Sequence, residues 1–104
     1  MDFGLKKEHI DAINNVFNEY QNVEKVLIYG SRAKGTHKTG SDIDLVIAEK
    51  EISFSQMMEI TNKLDDLLLP YKIDISQKSK ISNSDLTDHI NRVGKIFYQK
   101  NDKD

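Results

Sequence analysis

A glycine-serine pair and two carboxylates stand at a fixed interval in the middle of the chain. Gly30 and Ser31 follow a short apolar run, and ten residues later Asp42 and Asp44 open another. Carboxylates two residues apart on a strand point to the same face, so their charges repel unless a cation lies between them. Mg²⁺ prefers oxygen ligands and keeps substrate phosphates in its shell. The spacing therefore indicates a phosphate-binding turn that faces a metal site.

A third carboxylate lies farther along the chain. Asp74 stands between Ile73 and Ile75, so on a strand its side chain points away from two core residues. If this strand neighbours the strand of Asp44, the three aspartates share one surface. In a two-metal site, one ion lowers the pKa of an attacking hydroxyl and the other stabilises the leaving oxygens. We therefore predict Asp42, Asp44 and Asp74 as metal ligands and catalytic residues.

The glycine-serine end of the motif suits a phosphate. Gly30 allows the backbone to approach a ligand closely and to adopt an unusual φ angle. Ser31 and the next amides could face phosphate oxygens, and Arg32 adds positive charge. The turn is not a P-loop, because Thr36 follows Gly35 where that motif needs a lysine.

Each of these features, taken alone, has an ordinary structural explanation. An Asp-x-Asp pair is common at a solvated strand end, a glycine-serine pair in a turn, and a lone aspartate on an edge strand. The combination at this interval is rarer, about one chain in a thousand from background composition. We predict that His37 and Lys38 lie in a solvated loop. For His9 and His89 we predict roles on helix surfaces or in helix packing.

Helix and strand patterns alternate along the chain. Helical periodicity marks residues 6–20, a stretch from Ser53 that Pro70 ends, and a stretch from a group of N-caps at 82–85 to Gly94. Strand patterns mark 24–29, 42–48, 71–76 and 95–99, with one helical turn at 32–34 and a loop at 35–41. The alternation predicts a layered α/β (α+β) fold, a small mixed β-sheet flanked by helices, as one domain over residues 1–99 with a polar tail at 100–104.

Composition limits the functional classes. The absence of cysteine excludes disulfides, thiolate zinc sites and a cysteine nucleophile. A formal net charge of −2 gives no general basic field, so we expect no direct nucleic-acid binding. The apolar runs are too short to span a bilayer, and no signal peptide follows Met1. We therefore expect a cytoplasmic protein without a membrane partner.

At this point the motif resembles a known signature. The blocks Gly30–Gly35 and Ser41–Leu45 are similar to the signature of the DNA polymerase β-like nucleotidyltransferase superfamily. They look most like its minimal nucleotidyltransferase (MNT) group, whose pattern is Gly-Ser, ten residues, Asp-x-Asp. The resemblance covers nearly the whole chain and implies the polymerase β-like nucleotidyltransferase fold. It implies that Gly30 and Ser31 bind the β- and γ-phosphates, with Arg32 as a further phosphate contact.

The resemblance also implies a reaction. Asp42 and Asp44 would hold two Mg²⁺ ions together with a nucleoside triphosphate. Asp74 would complete the shell of one ion and assist deprotonation of the acceptor hydroxyl. The hydroxyl would attack the α-phosphorus in line, and pyrophosphate would leave.

The acceptor is a separate question. The chain ends soon after its third long helix, so we expect the acceptor site to be small or to come from another polypeptide. MNT proteins resemble the antitoxin half of a pair whose partner is a HEPN-family RNase toxin. The resemblance thus implies transfer of AMP from ATP to a tyrosine of that toxin, in a hetero-oligomer. Two alternatives stay open: transfer to a small-molecule hydroxyl, such as that of an aminoglycoside, and a non-catalytic partner-binding module. The three aspartates count against the last.

Overall fold

Four strands form one mixed sheet in the order β3-β2-β1-β4 in the computed structural model, which describes residues 2–48 and 51–100. The strands are β1 (Lys25–Tyr29), β2 (Ile43–Ala48), β3 (Ile73–Gln77) and β4 (Lys95–Gln99). The helices are α1 (Lys7–Asn18), α2 (Gly30–Lys34), α3 (Phe54–Asp66) and α4 (Ser84–Val93), and a 3₁₀ turn at Lys78–Lys80 follows β3. β1 pairs antiparallel with β2 and β4, and β2 pairs parallel with β3. The predicted α/β fold class with a small mixed sheet is confirmed.

Helices cover both faces of the sheet. The odd-numbered residues of β2 are buried in the main core, to which α1 and α3 contribute Phe17 and Ile60. The opposite face of β2 carries Val46, which packs with Tyr29 and with Ile90 of α4 in a second, smaller cluster. Because side chains alternate along a strand, Asp44 lies on the same face as Val46. The sheet thus presents Asp44 to the side on which α4 packs.

α3 ends earlier than Pro70, where the sequence predicts its end. Its last helical residue is Asp66, and Leu67 is the C-cap. Leu68 then has a φ angle of 55°, in the left-handed region, and its side chain is 87% exposed. Proline disfavours helical backbone in the residue before it, so the chain must leave the helix before Pro70. The left-handed residue lets both Leu67 and Leu69 pack against the main core.

Ser53 and Gln56 at the start of α3 have the spacing that predicts a capping box, and only half of that box forms. The Ser53 hydroxyl accepts the amide of Gln56, as a helix N-cap does. The Gln56 side chain does not complete a reciprocal box, because its Oε1 accepts a hydrogen bond of 2.7 Å from Asn22 Nδ2. The residue predicted to close the cap instead connects α3 to the turn before β1.

Both ends of the described chain are attached to the fold. Lys100, predicted as the first residue of a polar tail, donates its amide to the carbonyl of Glu24. The rest of the predicted tail, residues 101–104, lies outside the described residues. Near the other end, Phe3 and Leu5 are buried in the main core, a contribution that the sequence patterns do not predict. In the part of the chain that the structure describes, no helix is long and apolar enough to cross a membrane.

A buried glutamine connects the end of β3 to the segment before α3. Gln77 is 7% exposed; its Oε1 accepts the Ile52 amide at 2.6 Å, and its Nε2 donates to the Ile52 carbonyl at 2.9 Å. Gln77→Ala leaves both backbone groups without this partner, so we expect the free energy of unfolding to fall by about 2–3 kcal/mol in urea titrations. The exposed Gln21, changed to alanine, is the matched control and should cost about 0.5 kcal/mol or less. Equal losses in the two variants would contradict the role of Gln77.

Candidate active site

The two ends of the central motif meet at Gly30. This residue follows β1, begins α2 and has a φ angle of 74°, a left-handed conformation that glycine adopts without a steric penalty. Tyr29, just before it, is the register partner of Asp44 on β2. A Cβ atom on Gly30 would lie 2.5 Å from Asp44 Oδ2. The glycine is therefore required both by the backbone angle and by the carboxylate beside it.

This close approach gives a testable prediction with an internal control. Gly30→Ala should displace the Asp44 carboxylate and lower nucleotide transfer by about a hundredfold or more, because misplacement of about 1 Å costs that much. Gly40→Ala is the matched control: Gly40 also has a positive φ angle, 88°, but a Cβ there meets nothing within 4 Å. Both variants should lose about 1–2 kcal/mol of stability from the backbone. Transfer rates measured beside thermal unfolding separate the two effects. Equal losses of activity would contradict the role of Gly30.

The structure places Asp44 and Asp74 side by side. They are direct register partners in the parallel pair of β2 and β3, so both side chains lie on the α4 face of the sheet. Asp42 is exposed and lies in the loop just before β2, not on the strand as predicted, because β2 begins at Ile43. The Ile43 amide donates to the carbonyl of Lys72, which fixes Asp42 at the same end of the two strands. The three predicted carboxylates thus come to one end of the sheet.

The charges at this end act on one another. Burial raises the pKa of Asp44, and repulsion from Asp74 and then from Asp42 raises it further, while the charge of Lys72 acts in the opposite direction. Burial also raises the pKa of the Tyr29 hydroxyl; a hydrogen bond with Ser76 opposes this, and the Asp44 and Asp74 charges add to it. Burial is the largest cause of both pKa shifts, and the neighbouring carboxylates add to it. A cation at this end of the sheet would favour the charged form of Asp44.

The donor set fits Mg²⁺, although it is not a closed metal cage. Within residues 2–48 and 51–100, no three His, Cys, Asp or Glu side chains form a preformed metal-binding group. Mg²⁺ commonly binds through one or two carboxylates and completes its shell with water and substrate phosphates. Asp44, with its raised pKa, and the exposed Asp42 match that mode of binding. The carboxylate oxygens available here are hard ligands of the kind that Mg²⁺ prefers.

Arg32, predicted as a phosphate contact, is 2% exposed. Its Nε and Nη2 donate to the Ser41 carbonyl at 3.1 and 3.0 Å, and its Nη1 donates to the Phe3 carbonyl at 2.9 Å. The guanidinium lies over the ring of Tyr71, 5.0 Å from its centroid. Arg32 therefore fixes the backbone just before Asp42 and joins it to the N-terminal turn. This geometry favours a positioning role over a direct phosphate contact.

The loop between the two halves of the motif is partly packed. The Ser31 carbonyl accepts hydrogen bonds from the amides of Gly35 and Thr36, and these bonds close α2. Ser31 itself is half-buried. Lys38 is exposed, as predicted. His37 is half-buried, not solvated: a Cβ on Gly4 would lie 2.1 Å from its Nε2, so the ring rests directly on the N-terminal turn. Its Nδ1 is buried without a hydrogen-bond partner in the described residues.

His89 contacts the active-site turn, which the sequence pattern did not predict. Its Nε2 accepts the Gly30 amide at 3.2 Å, and its ring meets Tyr29 edge-on with centroids 6.1 Å apart. In sequence His89 is one polar residue on a helix, far from the motif. Only the packing of α4 against the sheet brings it to Gly30, so no local pattern could have singled it out.

Comparisons with known proteins show which family has this sequence and fold. A family model described as polymerase beta, nucleotidyltransferase, matches residues 11–103. MJ1217 of Methanocaldococcus jannaschii, named as a candidate protein adenylyltransferase, is 36% identical over 78 residues, which cover 74% of this chain and 79% of that protein.

Two solved structures share the fold. A chain of a toxin–antitoxin complex with AMP-PNP superposes with a TM-score of 0.67 at 18% identity, over 92% of this chain and 75% of that chain. A chain of the complex between the tri-AMPylated Shewanella oneidensis HEPN toxin and MNT antitoxin also superposes with a TM-score of 0.67. The identity is 14%, over 92% of this chain and 74% of that chain. Since the family model spans nearly the whole chain and the Gly30 turn faces paired carboxylates, the chain belongs to the polymerase β nucleotidyltransferase family and is a nucleotidyltransferase.

Proposed function

We propose that this nucleotidyltransferase is a cytoplasmic antitoxin. In the presence of Mg²⁺, it would transfer AMP from ATP to a tyrosine of a HEPN-type RNase toxin. The proposal rests on the close approach of Gly30 to the Asp44 carboxylate. Asp44 is in turn the register partner of Asp74 on the neighbouring strand. A phosphate-binding turn and two carboxylates then adjoin a single reacting centre. The family gives the class of reaction, and the relatives suggest the nucleotide and the acceptor.

The residues divide into binding and transfer roles. Gly30 and Ser31 would bind the β- and γ-phosphates, where a side chain at position 30 would clash. Asp42 and Asp44 would hold Mg²⁺, with Asp74 completing the shell of one ion. When bound, Mg²⁺ supplies positive charge that offsets both the carboxylates and the triphosphate. Burial and the neighbouring carboxylates raise the pKa of Asp44, and a bound cation would favour its charged form.

The transfer step follows from the position of Asp74. Its side chain is exposed on β3, at the outer edge of the sheet, and so can be reached by an acceptor. The acceptor hydroxyl would give its proton to the Asp74 carboxylate as its oxygen bonds to the α-phosphorus. The bond between that phosphorus and the oxygen bridging to the β-phosphate would break, and pyrophosphate would leave. A base beside the hydroxyl is needed because tyrosine has an ordinary pKa near 10.

The relatives support the acceptor class. The M. jannaschii protein at 36% identity carries the name of a protein adenylyltransferase, which points to a protein acceptor rather than a small molecule. The structures that share the fold include one with AMP-PNP and one with a HEPN toxin that bears three AMP groups. Both are consistent with ATP as the nucleotide and with a HEPN partner.

The test uses two labels. The protein is incubated with Mg²⁺, a HEPN-type RNase toxin as partner, and ATP labelled at either the α- or the γ-phosphate. We expect the α-label on the partner and no γ-label, since AMP and not phosphate is transferred. Phenylalanine at the acceptor tyrosine of the partner should remove the label.

Three results would contradict the proposal in distinguishable ways. Label from γ-phosphate would indicate a kinase. Label on small hydroxyl compounds but not on the partner would indicate a small-molecule acceptor. Neutralisation of the toxin without any label, and equally by Asp44→Asn, would indicate a binding module.

A further inference from the structure

α4 supplies the active-site turn with a hydrogen-bond acceptor. His89 Nε2 lies 3.2 Å from the Gly30 amide nitrogen, and the ring meets Tyr29 at an interplanar angle of 80°. The next residue, Ile90, is 1% exposed and packs with Tyr29 and Val46. His89 is thus placed by a buried neighbour on the same helix.

α4 is a regular helix with a cap at each end. The Gly94 amide donates to the Ile90 carbonyl at 2.8 Å, and a Cβ on Gly94 would lie 2.5 Å from that oxygen. At the other end, the Asn83 side chain accepts the amides of Asp85 and Leu86. Because Ile90 packs with Tyr29 and Val46 of the sheet, this capped helix can hold one of its side chains at a set place. That is the requirement for a residue that orients another.

The hydrogen bond defines the state of the imidazole. A backbone amide can only donate, so Nε2 must be the unprotonated nitrogen and the proton of the neutral ring must be on Nδ1. In this tautomer the ring accepts from the turn and cannot donate to it. His89 therefore acts as an acceptor for the backbone in the nucleotide-free protein.

Gly30 needs such a partner. Glycine has wide backbone freedom, and at a φ angle of 74° the direction of its peptide is weakly specified by the chain alone. The same residue contacts the Asp44 carboxylate. A turn that rotated would misplace both the amides that follow it and the carboxylate beside it.

We propose that His89 is a positioning residue of the nucleotide site, which holds the Gly30 peptide so that Ser31 and the following amides face the triphosphate. The proposal rests on the proposed nucleotide-binding function of the turn. It assigns the Gly30 amide to His89, so that Gly30 allows the turn to approach the phosphates closely while Ser31 and the amides after it donate to them.

The test compares three proteins in the presence of Mg²⁺ and the non-hydrolysable analogue AMP-PNP: wild type, His89→Phe and His89→Gln. Phenylalanine keeps a ring against Tyr29 but has no acceptor. Glutamine places an oxygen close to the position of Nε2 and so keeps the acceptor. The dissociation constant is measured by calorimetry, and the wild-type ring tautomer is measured by nitrogen-15 NMR of His89 without nucleotide.

We expect His89→Phe to weaken AMP-PNP binding about tenfold, the fold-change that corresponds to the loss of one ordering hydrogen bond. His89→Gln should restore binding to within about threefold, which a packing role for the ring would not explain. The wild-type NMR signals should show the proton on Nδ1. Thermal unfolding of each variant verifies that it is folded.

Other outcomes overturn the inference. Unchanged binding in a folded His89→Phe would show that the hydrogen bond does not order the site. Tighter binding would show that His89 blocks an amide that phosphate uses. A proton on Nε2 would exclude the hydrogen bond itself. If wild type binds no AMP-PNP, the nucleotide function fails as well, and the wild-type arm alone shows this.

Discussion

Asp44→Asn should abolish nucleotide transfer and at the same time raise the melting temperature of the nucleotide-free protein. Activity should fall by about a thousandfold or more, because loss of a metal-holding carboxylate removes several kcal/mol of transition-state stabilisation. Stability should rise because burial raises the pKa of Asp44 and repulsion from Asp74 and Asp42 raises it further, so the folded state disfavours the charged carboxylate. Since water screens a partly exposed group, we expect a gain of less than about 1 kcal/mol, or a few degrees.

The gain should depend on pH in a defined direction. The pKa of Asp44 is raised in the folded state above its ordinary value of 3.8, so the folded state holds the proton more tightly than the unfolded state does. The stability that protonated Asp44 contributes is complete below the pKa of the unfolded state. It is lost as the pH rises through the pKa of the folded state. The difference between Asp44→Asn and wild type should therefore be absent at the lowest pH and complete above the folded pKa.

Ligand should reverse the order of stability. Under the proposed function, Mg²⁺ with ATP binds the folded state, so the pair should raise the melting temperature of wild type by linkage and have little effect on Asp44→Asn. The matched control is Asp65→Asn, an exposed carboxylate on α3, across the sheet from the site. It should behave as wild type in both assays. A variant at Asp44 that is less stable than wild type without ligand, or equally stabilised by Mg²⁺ and ATP, would contradict the assignment.

Arg32→Ala should be strongly destabilising. It removes three hydrogen bonds from a charged side chain that is 2% exposed, and it leaves the Ser41 and Phe3 carbonyls without those donors. Hydrogen bonds from charged groups contribute about 1.5–3 kcal/mol each, and the losses are not additive. We expect about 3 kcal/mol in urea unfolding, or a melting temperature lower by roughly 15 °C.

Two further variants sharpen this prediction. Arg32→Lys keeps the charge but lacks the planar guanidinium that donates twice to the Ser41 carbonyl. We therefore expect its free energy of unfolding to fall by about 2 kcal/mol, most of the loss expected for alanine. Arg92→Ala removes an exposed arginine of α4 and should change stability by about 0.5 kcal/mol or less. If Arg32→Ala instead keeps its stability and loses only nucleotide affinity, Arg32 is the phosphate contact that the motif suggests.

Much of the fold follows from local pattern. Hydrophobic periods of 3.6 and 2 residues mark the helices and strands, because each element buries one face regardless of its neighbours. The same alternation shows that Asp74 points away from Ile73 and Ile75 before any pairing is known. The ends of the elements are less well predicted, because they depend on packing. The sequence pattern continues α3 to Pro70, whereas the helix ends at Asp66 and the following Leu67 and Leu69 pack against the main core.

The central motif by itself indicates which groups are candidates for the chemistry. Gly30, Ser31, Asp42 and Asp44 lie within one turn, one loop and one strand, so their types and spacing are properties of a continuous stretch. The sequence could also indicate Asp74 as a further carboxylate. It could not pair Asp74 with Asp44, because the register of β2 and β3 depends on how distant segments pack.

The tertiary structure alone decided the roles of Arg32 and His89. A basic residue after a glycine-serine turn suggests a phosphate contact, but the N-terminal turn and the Ser41 carbonyl enclose Arg32 and use its donors. His89 is an ordinary helical residue until α4 packs on the sheet and brings its Nε2 to Gly30. Both residues act through contacts between segments far apart in the chain. Such contacts form only when the hydrophobic faces come together, and no local pattern encodes them.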